Sequence, residues 1–389
     1  MSNSTSPLLG YPRPDGRWGF RNHILILPLH QALSTAARDI ADATPGAVAI
    51  SHDWSGEIDK DFERITKTFA GFAGNPNIFT TVALTIGTEV ESGIIERARK
   101  FSPTPLVEIK LSDAGSMFKL VTNALEKATE LAEQAAAEPR TPAPWSSVVL
   151  GLECGGSDAY SGITANPALG VASDRFVEFG ATSILAETME ILGAEHLLAA
   201  RALDPKVGAQ IIEVVARYER SINYEGIDIR GAQPSRGNIE GGLSTLEEKS
   251  LGAAKKAGNA PFTGVLEYAD RPTAPGLYFM DTPGHDIEQL TGFAAADVNI
   301  TVFTTGRGTP TGSAVIPTIK VATNSEMGLV LTDLIDINAG TISDGTQTLE
   351  EVGQIIFDEI VKVANGQLTK AEIGKHHEFN LSRLYGSTL

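Results

Sequence analysis

The 389-residue chain holds a single cysteine, Cys154, which excludes an internal disulfide and any zinc or iron–sulfur centre built from several thiolates. A metal, if bound, must rest mainly on oxygen and nitrogen. Positive charge is also scarce, with 31 Lys+Arg against 48 Asp+Glu and a formal net charge of −17. A basic face for phosphate is therefore not expected, which argues against nucleic acid and anionic membrane as partners. No apolar run approaches the roughly 18 residues of a membrane span. The opening MSNSTSPLLG lacks the basic and apolar regions of a secretory signal, so a cytoplasmic protein is expected. The first apolar run ends in Pro28-Leu-His-Gln31 and not in a Gly-x-Gly turn, which ranks a nicotinamide dehydrogenase low.

Glycine, by contrast, is plentiful: 39 residues, above the usual ~7% and concentrated in loops that follow apolar runs. Strand-type runs at 23–29, 47–50, 80–86 and 106–109 alternate with helical patterns at 32–43, 58–72, 89–101 and 114–137. Beyond them, strands are expected at 147–152, 182–185, 263–267, 277–280, 298–304 and 315–322, with helices at 167–179, 206–223, 243–257, 287–296 and 348–365. Strands that alternate with long helices imply parallel sheets covered on both faces. The length favours two domains. The fold expected is α/β: a Rossmann-like domain at 9–138 and a larger catalytic α/β domain at 145–389, divided where three prolines (Pro139, Pro142, Pro144) break regular structure. The alanine-rich stretch 123–138 reads as a solvated surface helix.

Five polar, glycine-rich segments sit where strands end, the usual place for ligands in open α/β sheets. Residues 10–23 carry three arginines and Asp15 and suit either an anion clamp, with Arg17 as candidate, or an arm packed on the rest of the protein. The segment Glu153-Cys-Gly-Gly-Ser-Asp158, running on to Asn166, suits a cradle of backbone N–H groups with Ser157 and Asn166 on a ligand and Asp158 as base; the alternative is a tight turn capped by Asp158 and Asn166. At Ala186–His196, Glu187, Glu190, Glu195 and His196 offer an oxygen-rich divalent site, or a surface helix. At 234–250, Asn238 and the glycines suit close approach to a ligand, whereas Ser244 and Glu247 suit a capping box. In the last segment, Arg307 between two glycines is a carboxylate fork. Lys320, in an otherwise apolar strand, is either a catalytic amine lowered by burial or an edge-strand guard.

The strings GYPRPDGRWGFRNH, ECGGSDAYSGITANPALG, ETMEILGAEHL, GNIEGGLSTLEEKSLG, MDTPG, TTGRGTPTG, PTIKVATN and DINAGTISDG resemble, in order, the motifs of the altronate and galactarate dehydratase family, which includes the large subunit of sulfolactate sulfo-lyase. The resemblance implies a lyase that removes the C2 proton and a C3 leaving group from a 2-hydroxy acid, giving a 2-keto acid. It implies a divalent metal, iron first with manganese or magnesium as alternatives. On the matched motifs, Glu187, Glu195 and His196 are the metal-ligand candidates. Asp158, Lys320, His196 and Cys154 are the acid–base candidates, and Arg17, Ser157, Asn166, Asn238 and Arg307 are the substrate contacts. Thiol-richer relatives carry extra cysteines where this chain reads His30-Gln31, Gly87-Thr88-Glu89 and Asn338-Ala339-Gly340, and a lysine where it has Ile239. The resemblance further implies a separate small SAF-domain subunit and a homo-oligomer. The competing readings are the sulfo-lyase reaction and a non-catalytic sugar-acid binder.

Overall fold

The computed structural model describes residues 7–223, 230 and 233–385; residues 386–389 of the expected second domain lie outside these. Two short strands, β1 (Leu8–Pro12) and β2 (Trp18–Gly19), precede a four-stranded sheet made of β3 (His23–Pro28), β4 (Ala47–Ala49), β5 (Ile78–Thr85) and β6 (Leu106–Lys110). Its order is β4-β3-β5-β6 and every pairing is parallel. The run His23-Ile-Leu-Ile-Leu-Pro28 is apolar throughout because both its faces are covered. Ile24 and Ile26 pack with the helices Ser34–Ala43 and Met117–Ala137, while Leu25 and Leu27 join a core that includes Phe69 and Phe72 of the helix Phe62–Ala73.

After a short strand β7 (Thr141–Ala143) the chain builds a second, seven-stranded sheet from β8 (Val149–Gly155), β9 (Thr182–Leu185), β10 (Phe262–Leu266), β11 (Gly276–Met280), β12 (Ile300–Thr305), β13 (Thr318–Ala322) and β14 (Ile337–Asn338). The order is β10-β11-β9-β8-β12-β13-β14, again wholly parallel. From β8 the chain moves out to β9, β10 and β11, then returns to the other side of β8 as β12. The junction of β8 and β12 is therefore the topological switch point, where the crossovers leave a crevice beyond the strands' carboxyl ends. One face of this sheet, with Leu150, Leu152 and Val302, packs on the helices Ala165–Glu178 and Leu349–Ala364, whose Phe176 and Phe357 rings lie 4.7 Å apart. The other face, with Ile184, Tyr278 and Phe303, packs on Leu290 and Phe293 of the helix Asp286–Ala295.

That second core continues into Leu25, Phe69 and Phe72 of the first sheet's layer, so the two sheets share buried apolar structure. Polar groups tie the same seam: Asn75 Nδ2 donates to the carbonyls of Ala294 and Val298, and Asn77 Nδ2 to those of Asn299 and Val315. Arg17 belongs here too, donating to Asp15, Asp297, the Gly74 carbonyl and Ser102 Oγ.

Three expectations change. The proline-rich segment 138–144 is not devoid of structure: Thr141–Ala143 pairs antiparallel with β1, a strand that needs few donors from Pro142. The alanine-rich helix is half-solvated only, since Leu120, Ala124, Ala128, Leu131 and Ala135 form a buried stripe at helical spacing. Lys320 does not guard an edge, because β13 lies between β12 and β14 and the side chain is fully buried.

Candidate active site

At the switch point the ends of β8, β9, β11 and β12 surround a cavity of about 250 Å³. Its wall includes Cys154 at the end of β8, Gly156 and Ser157 after it, Glu187 and Glu190 after β9, and Gly284 and Asp286 after β11. Gln233, Asn238 and Lys249 complete it together with Arg307 after β12.

The chain turns sharply to reach it. Glu187 has φ +66, a left-handed conformation that costs a non-glycine residue of the order of 1 kcal/mol or more. Its N–H is held by Thr282 Oγ1 at 2.8 Å, next to the Asp281-Thr-Pro-Gly284 loop. Gly155 is required by the carboxylate above it, since a Cβ there would collide with Asp286. Asn238 Nδ2 donates to the Ser157 carbonyl at 2.9 Å, and its Oδ1 accepts from Ser235 in a capping box, so the 235–240 helix is latched to the β8 loop.

Two groups of titratable side chains meet at Glu187. In the first, Lys256 Nζ donates to Cys154 Sγ at 2.8 Å and to Glu190 Oε2 at 3.0 Å, and the Cys154 thiol donates to the same Glu190 oxygen at 3.0 Å. All three are buried. Burial, and then the neighbouring Glu190, push the thiol up to about 12, so it stays protonated. Burial opposes ionisation of Glu190, but Lys256 and Lys249 override it and hold that carboxyl below its ordinary range. Burial also opposes the Lys256 charge, and its Cys154 and Glu190 partners override that. The first group is thus an internally neutralised acid–thiol–ammonium set.

In the second group, one oxygen each of Glu153, Glu187 and Asp286 lie within 4.8 Å of one another. Glu153 is fully buried, and among the described residues neither of its carboxylate oxygens has a hydrogen-bond partner; Glu187 Oε2 has none either. Burial pushes all three carboxyls up, with Asp286 adding to Glu153, and Glu190 adding to Glu187 and to Asp286. Such carboxylates need either protons or a cation. Besides Lys256, a second cation lies in the same sheet register: Glu153, Phe303 and Lys320 are neighbours on β8, β12 and β13, and Lys320 Nζ sits 3.3 Å from the Phe303 ring centroid without a hydrogen-bond partner among the described residues. Burial lowers Lys320 to about 7, opposed by Asp286 and Glu153. Cys154, Glu187 and Glu190 also fall within 4.8 Å of one another. Both sets are compatible with a divalent metal, but Lys256 already uses the sulfur and Glu190, whereas the Glu153 and Glu187 oxygens are unspent.

The residues singled out from sequence divide accordingly. Cys154, Ser157, Glu187, Asn238 and Arg307 line the cavity. Lys320 lies behind it, against Phe303. Asp158 does not face it: Oδ1 accepts from the Ser161 N–H and hydroxyl, and Oδ2 from Thr323 Oγ1 and Asn324 Nδ2, which spends the carboxylate on joining the loops after β8 and β13. Asn166 is likewise engaged, with Thr304 Oγ1 and the Gly252 carbonyl. Glu195 accepts from the Gly193 N–H, and His196 is exposed on the short helix Glu195–Ala199; neither is brought to Glu187, because the chain breaks at Gly193. Arg17 is at the seam between the sheets, away from the cavity. Sequence reasoning missed Glu153, Lys249, Lys256 and Asp286 as site residues. Glu153 carried the same signal as Lys320, a charge inside an apolar strand.

Comparison with known proteins accords with this architecture. Residues 145–387 match the family model described as D-galactarate/Altronate dehydratase, C-terminal, and residues 10–136 match the D-galactarate dehydratase/Altronate hydrolase second domain. The chain is 34% identical to the (2R)-sulfolactate sulfo-lyase subunit beta of Chromohalobacter salexigens, over 97% of this chain and 98% of that one. It is 32% identical to the altronate dehydratase of Bacillus subtilis, over 95% of this chain and 76% of the relative. With the galactarate dehydratase (L-threo-forming) of Escherichia coli it shares 45% identity over 59% of this chain and 43% of that protein. The family match spans both parts of the chain and its named relatives are dehydratases and a sulfo-lyase, so this protein belongs to the galactarate and altronate dehydratase family and is a lyase.

Proposed function

We propose that the chain dehydrates a 2,3-dihydroxy acid of the sugar-acid class to a 2-keto-3-deoxy acid, using a divalent metal held by Glu153, Glu187 and Asp286. The observation that carries the reading is the meeting of Glu153, Glu187 and Asp286: Glu187 and Asp286 line the switch-point cavity, Glu153 is buried behind them, and the Glu153 oxygens and Glu187 Oε2 have no hydrogen-bond partner among the described residues. An all-oxygen donor set suits ferrous iron, manganese or magnesium. When bound, the ion supplies Lewis-acid stabilisation of the negative charge that develops beside the substrate carboxylate.

The chain's own residues supply the rest. Ser157 and Asn238 present polar atoms to the cavity and fix the loops that shape it. Elimination needs one proton removed at C2 and one delivered to the departing oxygen. The Cys154–Glu190–Lys256 set reaches the cavity through Cys154 and Glu190 and has three exchangeable sites within 3.0 Å contacts, so it is assigned proton transfer. Ionised Glu190 is assigned to take the C2 proton and the Cys154 thiol to give one to the departing hydroxide, which leaves as water; the thiol is then restored from Glu190 across their 3.0 Å contact. Lys320 does not touch the cavity and is assigned the positioning of Glu153 and Asp286 through its buried charge.

The sulfo-lyase reaction is the second reading, favoured by the end-to-end match to a sulfo-lyase subunit. That relative is named as one subunit of several, and a separate small SAF-type subunit and homo-oligomerisation are proposed here on that basis. The test is 2-keto-acid formation by the full chain with ferrous, manganous or magnesium ion under reducing conditions, over hydroxy acids with and without a C3 sulfonate, with sulfite measured alongside. Keto acid without sulfite is the expected result. Sulfite release selects the second reading, and no keto acid from any acid sinks both.

A further inference from the structure

Two cationic side chains on the cavity wall have more donors than partners, and they sit at different depths. Lys249, on the helix Leu246–Ala254, is 9% exposed at its side chain. Among the described residues its ammonium makes one hydrogen bond, to Gln233 Oε1 at 3.3 Å, and stands 3.9 Å from Glu190 Oε1. Glu190 is paired more closely with Lys256, at 3.0 Å, and feels Lys249 as a second, more distant charge. An ammonium carries three donors, and leaving two of them unused in a buried place is costly unless a ligand takes them. Arg307 stands at the rim, its side chain 47% exposed. Its guanidinium makes no hydrogen bond among the described residues, and its nearest carboxylate, Glu240, is 3.6 Å away. It passes close to Gly237, where a Cβ would strike Nη1, and its stem passes Gly156. The guanidinium is therefore seated by the backbone with its fork open.

One deep cation and one rim cation, both lining a cavity with carboxylates at its base, fit a ligand with an anionic group at each end. We propose that the preferred substrate is a dianionic hydroxy acid, with Lys249 taking the anionic group nearer the floor and Arg307 the one nearer the mouth. The class includes hydroxy-dicarboxylates and carboxylate-sulfonates and excludes sugar monocarboxylates as preferred substrates. The inference rests on the elimination reading above for the word substrate, and on the two cations alone for the binding preference.

The test separates these. Titration calorimetry of the full chain with acids that have no C3 leaving group uses succinate and 3-sulfopropionate as the dianions and butyrate as the monoanion. Either dianion is expected to bind about tenfold or more tightly than butyrate, because a second charge-assisted contact is gained. Whichever dianion binds better identifies the terminal group. Lys249→Met and Arg307→Met are each expected to remove about tenfold from dianion binding and to level it with butyrate. Arg307→Lys, which keeps charge and loses the fork, should recover part of the loss. Equal affinity for succinate and butyrate in the unaltered protein overturns the proposal, as does a loss in either Met variant that is the same for all three acids. In the parallel turnover assay, no preference for dianionic over monoanionic hydroxy acids overturns it while leaving the elimination reading intact. Selective dianion binding without turnover of any hydroxy acid does the reverse.

Discussion

Each of the two parallel sheets buries a glutamate near the end of a central strand, and the two glutamates live differently. Glu91, just after β5, is 2% exposed and spends its carboxylate on the N–H groups of Ile86, Gly87 and Thr88 and on the Thr88 hydroxyl. It closes the strand end and starts the helix Glu89–Phe101 through a capping box. Glu153, at the end of β8, is as deeply buried, and its carboxylate has no hydrogen-bond partner among the described residues. Burial and charge alone therefore do not mark a site. What sets Glu153 apart is an unspent carboxylate that meets a second one, Glu187, on a cavity wall, because folding gains nothing from a buried carboxylate left without a partner.

That contrast is tested first by Glu187→Gln, which keeps shape and removes a charge. Keto-acid formation should fall by about a thousandfold or more and bound metal should be lost, while the urea midpoint of the metal-free protein holds or rises. A lowered midpoint with normal turnover would make Glu187 structural. Next in size is Lys256→Met, which strands Glu190 as an unpaired buried charge. A loss of about 3–5 kcal/mol in denaturant unfolding is expected, with partial recovery in Lys256→Met/Glu190→Leu. Recovery to no degree would mean that the two do not act as a pair. In the first sheet, Glu91→Ala removes only the closure of a strand end. It should cost about 1–3 kcal/mol and leave kcat/KM within about twofold, and a larger kinetic loss would erase the distinction between the sheets.

The smallest effect concerns pH. Burial, and then the neighbouring Arg21 cation, lower His23 on β3 to about 4. The unfolded chain, with a histidine near its ordinary 6.5, binds the proton first, so stability is complete above about pH 6.5 and is lost as pH falls through about 4. The contribution of this half-buried ring is about 1 kcal/mol after allowance for solvent. His23→Gln should flatten that limb of the pH–stability curve, and an unchanged curve would assign acid sensitivity elsewhere.

The sheets were legible in the sequence because strands covered on both faces read as unbroken apolar runs: every strand of the two parallel sheets except β14 overlaps an expected run, with ends shifted by up to three residues. The site was legible only in part. Cys154 lies at a strand end, Ser157 and Glu187 follow strand ends within two residues, and Arg307 is flagged by its flanking glycines. Asp158 was misleading because an aspartate after Gly-Gly-Ser serves equally as a loop clasp or a base, and only the distant Thr323 and Asn324 decide between them. Glu195 and His196 look continuous with Glu187 in sequence, but Gly193, at φ +86, turns the chain away. Lys256 offered no signal, since nothing in Ala-Ala-Lys-Lys-Ala marks which lysine faces a carboxylate about seventy residues earlier in the chain.

The asparagine pair at the seam bears on how the protein moves. Asn75 and Asn77 each satisfy two main-chain carbonyls of the opposite layer. To swing one layer against the other would break four hydrogen bonds and open a shared apolar interior at the same moment. Hinge closure of two lobes over a ligand, a common way for an α/β enzyme to shut out water, would carry that cost in this protein. The amide exchange of both sheets should accordingly be the same with and without a ligand in the cavity.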